Sequence, residues 1–252
     1  MTNHEKRQAL LELSHELGDP RLNMAILGEG NTSAKLSEAT FLVKASGSCL
    51  ASLSESDVVE CQFAKLLAML DRDEMTDQEI VDELMASRID VEARKPSVEA
   101  LFHAYLLSLP GIEFVGHTHS VAVNQVLCSP MARKFATQKM FPDEIVCCGP
   151  ESVYIPYTDP GLKLSQVIKT ETESYMARYH GPPRVILLEN HGIITLGGST
   201  ASVKAAMFMA QKSAEIFVGA AALGGPNFLS PKNVERIANR IDEHYRQRAL
   251  KL

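Results

Sequence analysis

Two histidines at the end of an apolar run constrain this chain more than any other feature. Residues 114–119 read FVGHTH, so His117 and His119 are separated by one threonine. If the run is a strand, alternate side chains share a face, and both imidazoles point to one side about 6 to 7 Å apart at Cα. His191 follows a second apolar run, VILLEN, where the chain again reaches a polar loop. Three histidines that leave one coordination position open are typical of a catalytic transition-metal site rather than a structural one.

A carboxylate lies just upstream of the histidine pair. A proline followed by a serine is a common helix start, and the sequence predicts a helix over residues 97–109. Glu99 and His103 are four residues apart and therefore share a face of that helix. A helical glutamate ordinarily faces solvent, but the position of Glu99 directly ahead of the histidine strand makes it a candidate functional group. His103 belongs either to the outer shell of the site or to the core. The remaining histidines are expected to be structural or at the surface: His4, His15, His180 and His244.

Small residues in the loops of a predicted hairpin form a second candidate group. Residues 32–36 and 40–44 are short extended segments bounded by glycines and small polar residues. Asn31 precedes the first segment, and Ser46 and Gly47 follow the second. Small residues let backbone N–H groups and hydroxyls approach an anion closely, as a phosphate site requires. Turn residues that bond only to local backbone are the alternative interpretation.

The rest of the chain alternates between helical and extended patterns, which favours an α/β fold. Helices are predicted at residues 4–17, 62–71, 76–87, 120–128, 161–178, 199–223 and 230–248. Further strands are predicted at residues 58–62, 145–148, 152–156 and 184–188.

Composition limits the classes of protein to which the chain can belong. No linker or change in composition divides it, so we expect a single domain over residues 1–252. No run approaches the roughly 18 apolar residues of a membrane span, and the polar N-terminal segment lacks a secretory signal, so we expect a cytoplasmic protein that binds no membrane. The net charge of −6 argues against nucleic-acid binding. The five cysteines, an odd number, are expected to be reduced thiols.

Taken together, these motifs resemble the class II aldolase/adducin family. They are GNTS at 30–33, ASGS at 45–48, PSVE at 96–99, HTH at 117–119 and NHG at 190–192. The similarity extends over about residues 5–225. It implies a three-layer α/β/α fold with a central, largely antiparallel sheet, and a homotetramer with sites at subunit interfaces. The segment around residues 62–95 is longer than in the compact aldolases of the family, so we predict a helical insertion there.

The resemblance also implies an activity and a role for each candidate residue. A metal-dependent aldolase of this family would cleave a short-chain ketose, most commonly a 1-phosphate, to dihydroxyacetone phosphate and an aldehyde through an enediolate. His117, His119 and His191 would bind a divalent metal, Zn²⁺ first, although three imidazoles also accept Mn²⁺ or Co²⁺. Glu99 would carry the proton, a task that favours a raised pKa. The phosphate would be bound by Asn31, Ser46, Gly47 and Ser97, and no organic cofactor is expected.

The same resemblance leaves other functions open besides the aldolase. Val98 stands where the family has a second phosphate-binding serine, which keeps a metal-dependent decarboxylase open. The pentulose-phosphate 4-epimerases have an aspartate where this chain has Glu99, so an epimerase ranks lower. Adducin-like scaffolds lose the metal ligands, whereas this chain keeps all three histidines. For the tyrosine that assists the family's aldolases, the candidates are Tyr154, Tyr157 and Tyr245.

Overall fold

A seven-stranded sheet forms the centre of the molecule, and the computed structural model describes residues 1–243 and 245. The strands are β1 (Asn31–Lys35), β2 (Thr40–Lys44), β3 (Val58–Gln62), β4 (Phe114–Thr118), β5 (Val153–Ile155), β6 (Val185–Leu188) and β7 (Gly192–Gly197). Their order across the sheet is β3-β2-β1-β4-β7-β6-β5. Every neighbouring pair is antiparallel except β5 and β6, which are parallel. The prediction of an α/β fold with a largely antiparallel central sheet is therefore confirmed.

Helices cover both faces of the sheet. They are α1 (Asn3–Leu17), α2 (Phe63–Leu70), α3 (Asp77–Ala86), α4 (Ala100–Ser108), α5 (Val121–Leu127), α6 (Ala132–Thr137), α7 (Pro142–Cys148), α8 (Leu162–Tyr179), α9 (Thr200–Ala222) and α10 (Pro231–Ala238). Apolar residues of α2, α3, α4 and α8 form one buried cluster with the sheet. Those of α1, α5, α6, α7 and α9 form a second cluster on the opposite face.

The strands supply both clusters because successive side chains point to opposite faces. On β2, Phe41 and Val43 belong to the α4 side and Leu42 to the α9 side. The same alternation places Val115 of β4 on the α4 side and Phe114 on the α9 side. Sheet strands that are buried on both faces account for the three layers.

Three predicted elements differ from the structure. The predicted strand at residues 145–148 is wrong, because these residues end helix α7, which begins at Pro142 and has Asp143 and Glu144 in its first turn. A short apolar run fits either element by periodicity, and these start signals favoured the helix. The helix predicted from residue 97 begins at Ala100, with Glu99 as its N-cap. Of the last predicted helix, 230–248, the structure forms Pro231–Ala238 as α10, and a break follows at residues 239–240. Residues 244 and 246–248 of that prediction, His244 among them, lie outside the described residues.

Segment 62–95 consists of two helices joined to the edge of the sheet. Helix α2 contributes Phe63, Leu66 and Met69 to the core on the α4 side. Helix α3 begins with the capping box of Thr76 and Glu79 that its sequence predicts. That this segment is an insertion, and that residues 1–252 form a single domain, stay predictions. No helix within residues 1–243 combines the length and apolarity needed to cross a membrane.

Candidate metal centre

Three imidazoles converge at one end of the central strands. His117 is on β4, His119 follows the end of that strand, and His191 lies on the turn between β6 and β7. The antiparallel pairing of β4 with β7 sets His117 opposite Ile194 and so brings the β6–β7 turn beside the histidine pair. One nitrogen from each of the three histidines lies within 4.8 Å of the other two. The sequence-predicted triad is therefore brought together in space.

The hydrogen bonds of His117 leave one nitrogen available to a ligand. Its Nδ1–H donates to the backbone carbonyl of Ile193 at 3.0 Å, so in the neutral ring Nε2 carries a lone pair. His117 Nε2 lies 3.1 Å from His119 Nε2. Two nitrogens that bind one tetrahedral zinc at about 2.0 to 2.1 Å lie about 3.3 Å apart. The spacing of these two nitrogens therefore fits a shared divalent metal.

Burial favours the neutral, metal-binding form of two of these imidazoles, His117 and His119. It lowers the pKa of His117, which is fully enclosed. Burial, together with repulsion from His117 and His191, lowers the pKa of His119 to about 4. Metal ligation requires neutral imidazole, so neutral rings favour metal binding near pH 7.

Glu99 faces this cluster from the start of α4. Its Oε1 lies 3.3 Å from His191 Nε2 and its Oε2 lies 3.6 Å from His117 Nε2. Only 8% of the residue is exposed. Burial raises the pKa of Glu99, but its interactions with His117 and His191 and a hydrogen bond from Asn31 outweigh burial, so the pKa lies well below its usual range. The expectation of a raised pKa is wrong, because the pKa of Glu99 is lowered, which favours the ionised carboxylate.

The residues predicted to bind phosphate divide into two groups. Asn31 and Ser97 lie beside Glu99: Asn31 Nδ2 donates to Glu99 Oε2 at 2.5 Å and to Ser97 Oγ at 3.3 Å. Ser46 and Gly47 form an exposed turn, in which Gly47 has a φ of 77° that favours glycine. The Ser46 N–H donates to the backbone of Lys95 and the Ser97 N–H to that of Lys44, so this turn lies next to the start of α4.

A buried lysine that the sequence interpretation did not include supports this turn. Lys44 ends β2 and is 2% exposed, and its Nζ donates to the carbonyl oxygens of Gly28 at 3.0 Å and Ser48 at 2.5 Å. Burial lowers its pKa. One sequence signal could have identified Lys44. It ends a predicted strand whose alternating side chains could place it in the interior, and a lysine is seldom fully buried without a partner.

Val98 and the three candidate tyrosines differ from one another in what surrounds them. Val98 packs against the apolar cluster on the α4 side. Tyr157 is exposed and its hydroxyl donates to Asp159 at 3.0 Å. Tyr154 is half-buried under the guanidinium of Arg133, and Tyr245 is exposed. A catalytic role for any of the three stays a prediction.

Sequence comparison identifies relatives of the chain. The model of the family described as Class II Aldolase and Adducin N-terminal domain matches residues 8–218. A Bacillus subtilis (strain 168) protein named an uncharacterized oxidoreductase is 32% identical over 178 residues, which are 68% of this chain. The match spans only 23% of that protein's length.

Solved structures share the fold. The N-terminal class II aldolase domain of a conserved protein from Thermoplasma acidophilum superposes with a TM-score of 0.66 and 26% identity, covering 83% of this chain and 92% of that one. An L-fuculose 1-phosphate aldolase gives a TM-score of 0.70 at 17% identity, with 96% and 98% covered. A putative aldolase/epimerase/decarboxylase from Klebsiella pneumoniae gives 0.68 at 20% identity, with 94% and 99% covered.

Proposed function

Because this chain belongs to the class II aldolase and adducin N-terminal domain family, we propose that it is a metal-dependent aldolase, a carbon–carbon lyase acting on a short-chain ketose. One observation carries the proposal: the buried carboxylate of Glu99 lies 3.3 and 3.6 Å from two members of a histidine triad. The reaction yields dihydroxyacetone phosphate and an aldehyde.

In this proposal His117, His119 and His191 hold the divalent metal, with Zn²⁺ as the first candidate and Mn²⁺ or Co²⁺ as alternatives. Such an ion supplies Lewis acidity toward a carbonyl oxygen of the substrate. Ile193 fixes the ring of His117 through its Nδ1–H, as outer hydrogen bonds to metal-binding histidines commonly do.

Glu99 carries the proton. An ionised carboxylate is the form that removes a proton, which suits the condensation direction, where a proton leaves the carbon next to the carbonyl group. In the cleavage direction the hydroxyl group on the departing carbon loses its proton as the carbon–carbon bond breaks. The carboxylate of Glu99 takes up one proton and delivers it to the carbon from which the aldehyde departs, so the proton count balances. The lowered pKa of Glu99 favours the ionised form that the base of a reversible aldol reaction requires.

The exposed turn next to the start of α4 is the proposed phosphate end of the site. Ser46, Gly47 and Ser97 present small groups to an anion. The ammonium group of Lys44 donates to the carbonyl oxygen of Ser48, the residue that follows the turn. A ketose 1-phosphate, such as fuculose or rhamnulose 1-phosphate, fits this arrangement of anion loop and metal. Assembly as a homotetramer and a cytoplasmic location stay predictions.

A metal-dependent decarboxylase is the second candidate, and Val98 favours it. The valine removes one hydroxyl donor from the phosphate end and packs with apolar residues instead. A less phosphate-selective site could use the same metal and carboxylate arrangement to release CO₂. The 4-epimerase and the adducin-like scaffold have no comparable observation in their favour.

The test combines metal analysis with an assay for dihydroxyacetone phosphate. The purified protein is expected to bind about one divalent ion per chain and to cleave at least one member of a panel of ketose 1-phosphates. In Glu99→Gln the metal should stay bound while kcat falls by about 10²- to 10⁴-fold, because general acid–base catalysis is lost. Glu113→Gln, whose carboxylate pairs with Lys6 at the surface, is the matched control and should keep full activity.

Three results would count against the proposal. Protein that binds no divalent metal would contradict both enzyme candidates. Metal-loaded protein that cleaves no ketose phosphate but releases CO₂ from a sugar acid would favour the decarboxylase. Unchanged kcat in Glu99→Gln would remove the proton-carrying role from Glu99.

A further inference from the structure

A chain of buried hydrogen bonds leads from β1 to the carboxylate of Glu99. Ser33 Oγ lies 2.6 Å from His103 Nδ1. The other ring nitrogen of His103, Nε2, bonds to Asn31 Oδ1, and Asn31 Nδ2 donates to Glu99 Oε2 at 2.5 Å. Ser33 and His103 are fully buried and Asn31 is 2% exposed, so water does not compete for these contacts.

The fold places the four residues in line. Asn31 and Ser33 are two apart on β1 and therefore point to the same face of the sheet. His103 lies one helical turn after Glu99, and its backbone N–H donates to the Glu99 carbonyl at 3.2 Å. Helix α4 thus carries His103 and, at its N-cap, Glu99. Strand β1 carries Asn31 and Ser33, the two residues between which the imidazole of His103 is held.

The donor and acceptor of every hydrogen bond in this chain of contacts follow from the carboxylate of Glu99 at one end. A carboxylate accepts hydrogen bonds, so Asn31 must turn its NH₂ group toward Glu99 and its Oδ1 toward His103. Oδ1 is an acceptor, so His103 Nε2 must carry a proton. A fully buried imidazole without a carboxylate in contact is neutral, so Nδ1 is the acceptor and the Ser33 hydroxyl donates to it.

We propose that His103 and Ser33 are positioning residues that orient the Asn31 amide and, through it, the carboxylate of Glu99. The proposal rests on the proton-carrying role proposed for Glu99. With Oε2 held by Asn31, the second oxygen, Oε1, points toward His191 and is the oxygen free to exchange a proton. A carboxylate that could rotate would present either oxygen, with a different orientation toward the metal site each time.

The same contacts give Asn31 a different task from the predicted one. Its Nδ2 has two hydrogens, and the structure directs one to Glu99 and the other to Ser97. Asn31 therefore serves the carboxylate, and the phosphate-binding groups are those of Ser46, Gly47 and Ser97.

The test compares two substitutions of His103 in the metal-loaded protein. His103→Leu removes the donor to Asn31 and should lower kcat by about 10- to 100-fold, the usual effect of losing an outer hydrogen-bond partner. KM and bound metal should change by less than about threefold, because neither the phosphate end nor the histidine triad is altered. His103→Gln retains an N–H group that can reach Asn31 Oδ1, and should recover most of the lost kcat.

A matched control lies on the other face of the same strand. The hydroxyl of Thr32 pairs with that of Ser14 at 2.6 Å and is equally buried, but it lies on the face of β1 opposite Asn31 and Ser33. Thr32→Val should therefore lower stability to a similar extent as Ser33→Ala. Only Ser33→Ala should also lower kcat, by about 3- to 10-fold, as expected for one hydrogen bond.

A spectroscopic measurement tests the chain of contacts without any turnover. Long-range ¹H–¹⁵N correlation of the unaltered protein should show His103 as the Nε2–H tautomer. The Nδ1–H tautomer, or a kcat in folded, metal-loaded His103→Leu equal to that of the unaltered protein, would overturn the proposal. If the unaltered protein cleaves no sugar phosphate, the proposed function fails, and the tautomer together with the Asn31 orientation in a His103→Leu crystal structure still decides the positioning role.

Discussion

The glycine that follows His191 is packed so closely that a single methyl group there should damage the metal centre. A Cβ at Gly192 would lie 2.5 Å from the carbonyl oxygen of Thr118, 2.9 Å from His119 Cδ2 and 3.2 Å from His117 Cε1. Cβ contacts under 3.0 Å essentially do not occur, so the carbonyl and the new methyl group must separate by at least about 0.5 Å, the difference between 3.0 and 2.5.

The effect of Gly192→Ala on metal binding depends on the ring atoms of His117 and His119 that the new methyl group displaces. His117 Cε1 and His119 Cδ2 are each bonded to the Nε2 atom that faces the centre, so moving them moves the ligand nitrogens. Metal–ligand distances tolerate only about 0.2 Å. Gly192→Ala should therefore weaken metal binding by at least about 10- to 100-fold and cost about 1 to 3 kcal/mol in the free energy of unfolding from overpacking.

The measurements are metal affinity, by competition with a chelating dye, and urea unfolding of the metal-free protein. Gly181→Ala is the control, because a Cβ there meets nothing within 4 Å. It should leave metal affinity unchanged and alter stability by no more than about 1 kcal/mol, in the stabilising direction where the backbone allows alanine. Equal metal affinity in Gly192→Ala and the unaltered protein would refute the argument that this backbone approach positions the two rings.

Two further predictions concern buried titratable side chains. Lys44→Met should lower the free energy of unfolding by about 2 to 4 kcal/mol in urea titrations, because two loop carbonyls lose their buried donor. The control is Lys65→Met at an exposed position, which also loses a hydrogen bond to a carbonyl and should lower the free energy of unfolding by less than about 1 kcal/mol. Equal losses in the two variants would contradict this reasoning. Burial lowers the pKa of His103 from 6.5 to about 3, so between these values the unfolded chain binds a proton that the native state excludes, and stability falls as the pH falls. From pH 7.5 to pH 5 this loss should be about 2 kcal/mol and should be absent from His103→Gln, so parallel pH profiles of the two proteins would exclude His103 as its source.

Much of the fold could be predicted because its signals are local. The β1–β2 hairpin, helix α1 and the capping box of α3 depend on residues within a few positions of one another. The predicted strand at residues 145–148 failed for the opposite reason. A four-residue apolar run fits both periodicities, and the start signals at Pro142 and Asp143 lay just outside it.

The sequence by itself determined which chemical groups are present and their spacing along each element. His117 and His119 share one side because they are two residues apart, and that follows from strand geometry alone. Helical spacing likewise set His103 one turn beyond Glu99. These relations need no knowledge of what packs against the element.

Tertiary structure decided what those groups face. Sheet pairing places Asn31 of β1 on one side of His117 and Ile194 of β7 on the other. It therefore brings residues that are far apart in the chain around one centre. It also decided the direction of the pKa shift of Glu99, because burial alone would raise the pKa and the neighbouring histidines and Asn31 reverse that shift. Charge and burial act through distances in space, and distances between strands and helices are set by packing that no local sequence pattern contains.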